Sequence, residues 1–212
     1  MHGGCKMEGV VKFKDVPKGQ KLQYIWDYWR LPAIIIVSLL VLFGWIFSTV
    51  FFSQKVDMNI LVTCKYSMNE EQIHQIETDF KNSYPKAKDH NYKATYVQNN
   101  IEIAEHNPEA YSADITKLIG EISSGDSYVF VLDDDMFEAF KADGLIGTYK
   151  EIGIDSDEDI KISLDKVFTN EHFKGKFYLC LRPREVSQLN SEKDVEKYEY
   201  AVGFVKFVNS KK

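Results

Sequence analysis

The stretch Ile122–Asp135, ISSGDSYVFVLDDD, contains a helix end, a tight turn, one apolar strand and three consecutive aspartates. Ser124 and Gly125 are typical of a helix C-terminus, and Tyr128–Leu132 is apolar throughout. A strand without a polar face is typical of a sheet that is covered on both sides, as parallel sheets are. The stretch therefore predicts a buried parallel strand that lies between helices.

Four strands are predicted in the part of the chain that follows residue 57. They are Met58–Cys64, Asn91–Gln98, Tyr128–Leu132 and the segment KFYLCLRP at 176–183. Helical patterns separate the first three strands, which is typical of a parallel sheet with right-handed crossovers. The acidic segment Ile152–His172 has little pattern and is predicted to be a loop with one short helix. The predicted fold class is α/β, with a doubly wound, mostly parallel sheet.

Helices are predicted from capping residues and from apolar side chains at helical spacing. Ser67 and Glu70 form a capping-box pattern before one helix, and Asn107 with Pro108 opens another. A short helix is predicted at Met136–Asp143. The predicted apolar faces are Ile73, Ile76, Phe80 and Tyr84 in the first helix, Tyr111, Ile115, Leu118, Ile119 and Ile122 in the second, and Val195, Tyr198, Val202 and Val205 in a closing helix.

One uncharged segment, LPAIIIVSLLVLFGWIFSTVFF at 31–52, is long enough to cross a membrane as a helix. At 1.5 Å per residue it would span about 33 Å, and a hydrocarbon core is about 30 Å thick. A buried core helix usually has a polar face, and a cleaved signal peptide has a shorter apolar region. We therefore expect a single-pass anchor that is retained in the membrane.

The charges on the two sides of this segment predict its orientation. Six basic and three acidic residues precede it, whereas 20 basic and 29 acidic residues follow it. A basic excess favours the cytoplasmic side. Residues 1–30 are therefore predicted to be cytoplasmic, 53–57 to be a juxtamembrane linker and 58–212 to be an extracellular domain of a cell-membrane protein.

Composition and spacing exclude several functions for this outer domain. Its net charge of −9 makes it a poor nucleic-acid binder, because phosphate contacts need a basic face. Its histidines and cysteines show no metal-ligand spacing, so no metal or other cofactor is predicted. Cys64 and Cys180 lie in apolar strand patterns, and the sequence allows either a disulfide or two buried free thiols.

The three aspartates allow several interpretations. They follow a strand at the edge where the carboxyl ends of parallel strands meet. As caps of the following helix, each would be stabilised by about 0.3–1 kcal/mol. A hard cation needs ligands from several directions, which three adjacent residues do not supply. Asp133 and Asp135 also resemble the nucleophile loop of haloacid dehalogenase-type phosphatases, although Phe137 stands where that family has Thr or Val.

Polar residues after the first three strands are predicted to surround one ligand-binding crevice, since those strand ends meet at one edge. The predicted ligand-binding residues are Tyr66, Ser67, Gln98, Asn99, Asp133 and Asp134. They suit recognition, and none has an evident base beside it, so no enzyme activity is predicted. The two carboxylates favour a cationic or hydroxyl-rich ligand, or a basic surface of a partner.

A longer stretch, Ile115–Ile152, resembles the first lobe of type 2 periplasmic (extracellular solute) binding proteins. In that family a helix ends in a small-Gly-Asp turn, a strand ends in acidic or polar residues, and a short helix runs into Gly-Leu. The resemblance extends loosely from Met58 to Ile152. With YIWDYWRLP at 24–32, the chain is similar to small membrane-anchored Firmicutes proteins with such an outer domain. This resemblance implies a non-enzymatic, membrane-anchored solute-binding domain.

The length of the outer domain limits what the resemblance implies. Solute-binding proteins of this type close two lobes around a ligand, and roughly 160 residues suffice for one lobe. A lone lobe leaves its ligand face open, and that face could dock a partner protein. The alternative function is therefore an accessory subunit of a partner membrane protein such as a transporter. A haloacid dehalogenase-like phosphatase is a remote alternative.

Overall fold

A computed structural model describes residues 34–47, 56–87, 89–171 and 173–211. The chain divides between Gln54 and Lys55 into two units. The described part of the first unit is helix α1, 34–47, whose side chains are exposed throughout. No helix among the described residues combines the length and the apolarity that a membrane crossing requires. The predicted span 31–52 extends past both ends of α1 into residues outside the described ranges. The predicted cytoplasmic segment, residues 1–30, lies wholly outside them.

The second unit contains a mixed, five-stranded sheet with the strand order β2-β1-β3-β5-β4. The strands are β1 (Met58–Cys64), β2 (Tyr92–Gln98), β3 (Ser127–Leu132), β4 (Ile162–Ser163) and β5 (Tyr178–Leu181). β1 pairs in parallel with β2 and β3, whereas β5 is antiparallel to β3 and β4. The predicted α/β class is confirmed, but half of the sheet is not parallel. β4 and β5 run antiparallel, and the described residues between them, 164–171 and 173–177, contain no crossover helix of the kind that parallel neighbours need.

Among the described residues of the second unit, five α-helices connect or follow these strands. They are α2 (Glu70–Ser83), α3 (Ile101–His106), α4 (Pro108–Ser124), α5 (Asp134–Ala142) and α6 (Glu192–Ser210). Short 3-10 helices occupy Pro85–Ala87, Tyr149–Ile152 and Arg184–Val186. Neither α3 nor the short strand β4 was predicted from the sequence.

The start of α2 differs from its predicted start. Asn69 caps the helix, and its side chain accepts a hydrogen bond from the Gln72 amide at 2.8 Å. The Gln72 side chain accepts one in return from the Asn69 amide at 2.9 Å. The capping box is therefore Asn69 with Gln72, and the predicted pair of Ser67 and Glu70 is wrong. Asn caps a helix as well as Ser does, so the two patterns compete.

Helix α4 begins and ends where the sequence predicts. The Asn107 side chain accepts from the Ala110 amide, Pro108 is in the first turn, and Gly125 ends the helix with φ of 69°. The predicted apolar face is wrong at Ile119, which is 58% exposed. The helix packs on the sheet through Leu118, the one residue of α4 that is fully buried.

Helices cover both faces of the sheet, and alternate side chains of β1 and β3 point to opposite faces. On one face, α2 and α6 pack on a core that contains Ile60, Val62, Val129, Val131, Ile76, Phe80 and Phe204. On the other face, α4 and α5 pack on a core that contains Leu61, Phe130, Leu132, Leu118, Phe137 and Phe140. All six residues of β3 are buried, as the apolar sequence predicts. Each large apolar side chain contributes about 1.5–3 kcal/mol of burial free energy.

The two cysteines of the sheet are free and buried. Cys64 belongs to the core under α2 and α6, whereas Cys180 belongs to the core under α4 and α5. Because the sheet separates the two thiols, they do not form a disulfide. Burial raises the pKa of Cys64 to about 12.

Candidate functional site

The segments that follow β1, β2 and β3 lie against one another at one edge of the sheet, here called the carboxyl edge. The Lys65 amide donates to the Asp133 carboxylate at 2.9 Å, and the Gln98 side chain donates to the Lys65 carbonyl at 3.2 Å. The Asn99 amide donates to the Cys64 carbonyl at 2.9 Å. The structure thus brings the three strand ends together, as expected for parallel strands, whose carboxyl ends lie at the same edge of a sheet.

Asp133 is a buried structural residue of this edge. It is 3% exposed, and its two carboxylate oxygens accept from the backbone amides of Lys65 and Met136 at 2.9 and 3.0 Å. The second bond caps α5. A carboxylate bound by two amides ties the end of β1 to the start of α5 and is poorly placed to attack a substrate.

The next two aspartates are exposed and paired with lysines. The Asp134 carboxylate lies 2.8 Å from the Lys161 ammonium, and the Asp135 carboxylate lies 3.0 Å from the Lys65 ammonium. The hydrogen bond from Lys161 lowers the pKa of Asp134. Lys161 also lies over the rings of Phe137 and Tyr178, 4.4 and 4.3 Å from their centroids. These carboxylates are therefore accessible but already neutralised.

Two of the predicted residues hold the neighbouring segments in place. Besides the Gln98 bond to the Lys65 carbonyl, the Asn99 side-chain amide lies 3.2 Å from the Met136 sulfur. This contact joins the end of β2 to α5. The side-chain amides of Gln98 and Asn99 thus hold the end of β2 against the residue after β1 and against α5.

The remaining two predicted residues, Tyr66 and Ser67, line a cavity of about 260 Å³. Its other lining residues are Met68, Gln72, Phe173, Lys176 and Phe177. Of the six predicted residues, only these two line the cavity. The sequence did not predict Gln72, Phe173, Lys176 or Phe177 as lining residues. For the last three the signal is FKGKF at 173–177, a glycine turn flanked by lysines and then by phenylalanines, directly before β5.

The floor of the cavity is aromatic. Tyr66 is 40% exposed, and its ring meets the buried Phe177 ring edge to face at 6.4 Å between centroids. The Tyr66 backbone carbonyl accepts from the hydroxyl of Tyr96 at 2.5 Å and from the thiol of Cys64 at 3.4 Å. These two bonds fix the segment that presents the Tyr66 ring.

The wall opposite Tyr66 is the loop between β4 and β5, and a buried carboxylate fixes it to α2. Asp79 is 2% exposed and accepts from both the amide and the hydroxyl of Thr169, at 2.9 Å each. Nearer the cavity, the Asp165 side chain accepts from the Gly175 amide, which lowers the pKa of Asp165. Gly175 has φ of 67°, a conformation that favours glycine. The wall therefore has a defined shape.

A second cavity, of about 460 Å³, lies at the opposite, amino edge of the sheet. Asp57 and His90 line it, with 3.5 Å between the carboxylate and Nδ1 of the imidazole. Ser191 is also in its lining, but the Ser191 hydroxyl donates to Asp194 at 2.7 Å and caps α6. The serine therefore has a structural role, and these three residues are not a catalytic triad.

Within the described part of the chain, no three His, Cys, Asp or Glu side chains are grouped closely enough to hold a metal ion. Comparison with known proteins gives no match to a protein-family model, a curated protein or a solved structure. The resemblance to solute-binding proteins therefore stays a prediction from the residues.

Proposed function

We propose that this chain is a single-pass membrane protein whose outer domain binds a small solute at the carboxyl edge, without catalysing a reaction. The observation that carries the proposal is the cavity in which Tyr66, Ser67 and Lys176 remain accessible. An aromatic ring with a few convergent polar groups in a concave site is typical of ligand recognition. The fixed wall and floor would present these groups to a ligand with little reorganisation.

The arrangement of polar groups favours binding over catalysis. Asp133, which a phosphatase of the haloacid dehalogenase type would use as nucleophile, is buried and bound by two amides. Ser67 lines the cavity, but none of the described lining residues is a histidine or a carboxylate. A serine nucleophile needs an adjacent base.

The membrane location rests on the uncharged segment 31–52 and on the charge difference across it. It predicts that protease added to intact protoplasts removes the acidic outer domain and spares the N-terminal segment. Epitope tags at the two termini, followed by immunoblotting, measure this. Protection of the C-terminal tag in intact protoplasts, with digestion after lysis, would contradict the proposed topology.

An accessory subunit that docks a partner membrane protein is the second candidate function. The small size of the cavity favours it, since sites for drug-sized ligands occupy about 300–1,000 Å³ and this one occupies about 260 Å³. A protruding side chain of a partner would fill such a volume. Co-purification of the full chain with a transporter after crosslinking in cells would support this function.

Binding at the cavity is tested with the full chain in detergent and a panel of amino acids, sugars and small organic acids. We expect at least one compound to raise the unfolding temperature of the wild type and of Tyr111→Ala, but not of Tyr66→Ala. Tyr111 is a partly exposed tyrosine of α4, outside the cavity. Equal responses of the two variants would place the binding site elsewhere.

A further inference from the structure

We propose that the ligand of this cavity is a small organic anion whose carboxylate or phosphate group binds Lys176. This inference rests on the proposed function and adds the charge of the ligand to it. The sequence-based expectation from Asp133 and Asp134 is different: a cationic or hydroxyl-rich ligand, or a basic partner surface. Asp133 is buried, and Asp134 and Asp135 are paired with lysines, so none of the three offers a free charge.

Lys176 differs from the other lysines of the carboxyl edge. Lys65 pairs with Asp135, Lys161 with Asp134 and Lys174 with Glu171. Lys176 forms no ion pair with any residue that the structure describes. Its ammonium lies 5.2 Å from the centroid of the Tyr66 ring, at the cavity wall. Among the described lining residues, Lys176 is thus the one cation, and no ion pair neutralises it.

The other polar groups in the lining are donors that have no partner. Across the described ranges, the hydroxyls of Tyr66 and Ser67 form no hydrogen bond. The side-chain oxygen of Gln72 accepts from the Asn69 amide, which orients the Gln72 NH₂ group away from that bond. None of the described lining residues is an Asp or a Glu. Unpaired hydroxyl and amide donors beside an ammonium match the several acceptor oxygens of a carboxylate or phosphate.

The volume limits the ligand to a small molecule. About 260 Å³ corresponds to roughly nine water molecules at about 30 Å³ each. That space holds one anionic group and a short or planar apolar part. Met68, Phe173 and Phe177 supply apolar surface for this part. The amino-edge cavity is a contrast, because carboxylates line it beside the lysines: Asp57, Asp194 and Glu196 with Lys193 and Lys197.

The test uses the full chain in detergent at low ionic strength and four probes of similar shape. Benzoate and phenyl phosphate are anionic, benzamide is neutral and benzylamine is cationic. We expect the wild type to bind the two anions in preference to the other two, with affinities that fall as salt is added. Ligand-detected NMR and calorimetry measure the dissociation constants.

The variant Lys176→Met removes the charge and keeps most of the side-chain length. Since one charge-assisted hydrogen bond contributes about 1.5–3 kcal/mol, we expect benzoate to bind at least about tenfold more weakly. Lys174→Met is the matched control, because Lys174 lies two residues away and is paired with Glu171. It should change the affinity less than about twofold. Lys176→Gln replaces Lys176→Met if the latter does not fold.

The inference is overturned if benzamide binds as tightly as benzoate, or if both lysine variants weaken benzoate equally. If the wild type binds benzylamine but neither anion, and Tyr66→Ala abolishes that binding, the cavity remains a binding site and only the charge of the ligand is wrong. If none of the four probes binds and the solute panel also fails, the anion inference and the proposed solute-binding function are both wrong.

Discussion

A buried charge lies at each edge of the sheet, Asp133 at one and Arg182 at the other, and these two charges have opposite signs. At the carboxyl edge, Asp133 caps the start of α5. At the amino edge, Arg182 is 4% exposed and donates to the carbonyl of Ile122, at the end of α4, at 2.8 Å. A negative charge at a helix start and a positive charge at a helix end both complement the helix dipole. Each buried charge thus joins a strand end to a helix end.

The two edges differ in how completely the buried charge is bound. Both oxygens of Asp133 accept hydrogen bonds, whereas Nη1 of Arg182 has no partner among the described residues. Arg182 also donates to the Val186 carbonyl at 3.1 Å, and burial lowers its pKa. A buried charge at each edge thus ties a helix end to the sheet, whereas the proposed binding site uses the exposed side chains of Tyr66, Ser67 and Lys176.

The largest expected effect is that of Arg182→Met, which removes two charge-assisted bonds, to the carbonyls of Ile122 and Val186. We expect the free energy of unfolding to fall by about 3 kcal/mol, because each such bond contributes about 1.5–3 kcal/mol and the methionine recovers some packing. Denaturant-induced unfolding of the full chain in detergent measures the change. A loss below about 1 kcal/mol would mean that Arg182 does not hold the end of α4.

A smaller loss is expected for Asp133→Asn. If the new amide oxygen caps α5 by accepting from the Met136 amide, the NH₂ group meets the Lys65 amide. In the other orientation, the NH₂ group meets the Met136 amide. Either orientation leaves a buried donor unpaired. We expect a loss of about 1–3 kcal/mol. Asp134→Asn is the matched control and should lose less than about 1 kcal/mol, since its ion pair is exposed. Equal losses for the two variants would remove the distinction between cap and surface charge.

The residues explain why the fold was more predictable than the site. The two ends of α4 are set by local backbone preferences, at Asn107 and Pro108 where it begins and at Gly125 where it ends. Such preferences can be read directly from a sequence. The uninterrupted apolar run of β3 likewise predicts a strand that is covered on both faces. The antiparallel β5 depends on the path of a weakly patterned segment, which local preferences do not determine.

The site depends on contacts between distant segments. Lys161 neutralises Asp134 from 27 residues away, and Lys65 neutralises Asp135 from 70 residues away. The sequence places the three aspartates at the correct edge but does not show that their charges are paired. Lys176 lies beside the Tyr66 ring, 110 residues earlier in the chain, and Asp79 fixes Thr169 of the same loop from 90 residues away. No local pattern contains that information.

The two buried thiols report on whether the carboxyl edge opens. Burial raises the pKa of Cys64 to about 12, whereas an ordinary thiol has a pKa of about 8.5. The reactive thiolate is therefore scarce in the folded protein up to about pH 10. In a Cys5→Ser background, we expect iodoacetamide to modify neither Cys64 nor Cys180 until the chain is unfolded. Mass spectrometry measures the modified fraction.

Fast modification of Cys64 at pH 8, with Cys180 still protected, would contradict a fixed floor beneath Tyr66. Cys180 is a suitable control because it is equally buried and lies on the other face of the sheet. Modification of both thiols at the same rate would indicate opening of the whole domain.

The smallest expected effect on stability is that of Ser67→Ala. Its hydroxyl forms no hydrogen bond with the described residues, so the free energy of unfolding should change by less than about 0.5 kcal/mol. Affinity for benzoate should nevertheless fall, by about twofold to tenfold, because one donor to the anion is lost. Thermal unfolding and calorimetry on the same sample separate the two quantities. A large stability loss would show that Ser67 belongs to the structural part of the edge.

Hydrogen–deuterium exchange of the full chain, with and without saturating benzoate, tests most directly that the carboxyl edge is the binding site. We expect benzoate to slow exchange of the backbone amides at 66–72 and 173–177. Exchange at 183–191, at the amino edge, should stay unchanged. Slower exchange at the amino edge alone, or none at 66–72 and 173–177 while benzoate is bound, would contradict the assignment of the site.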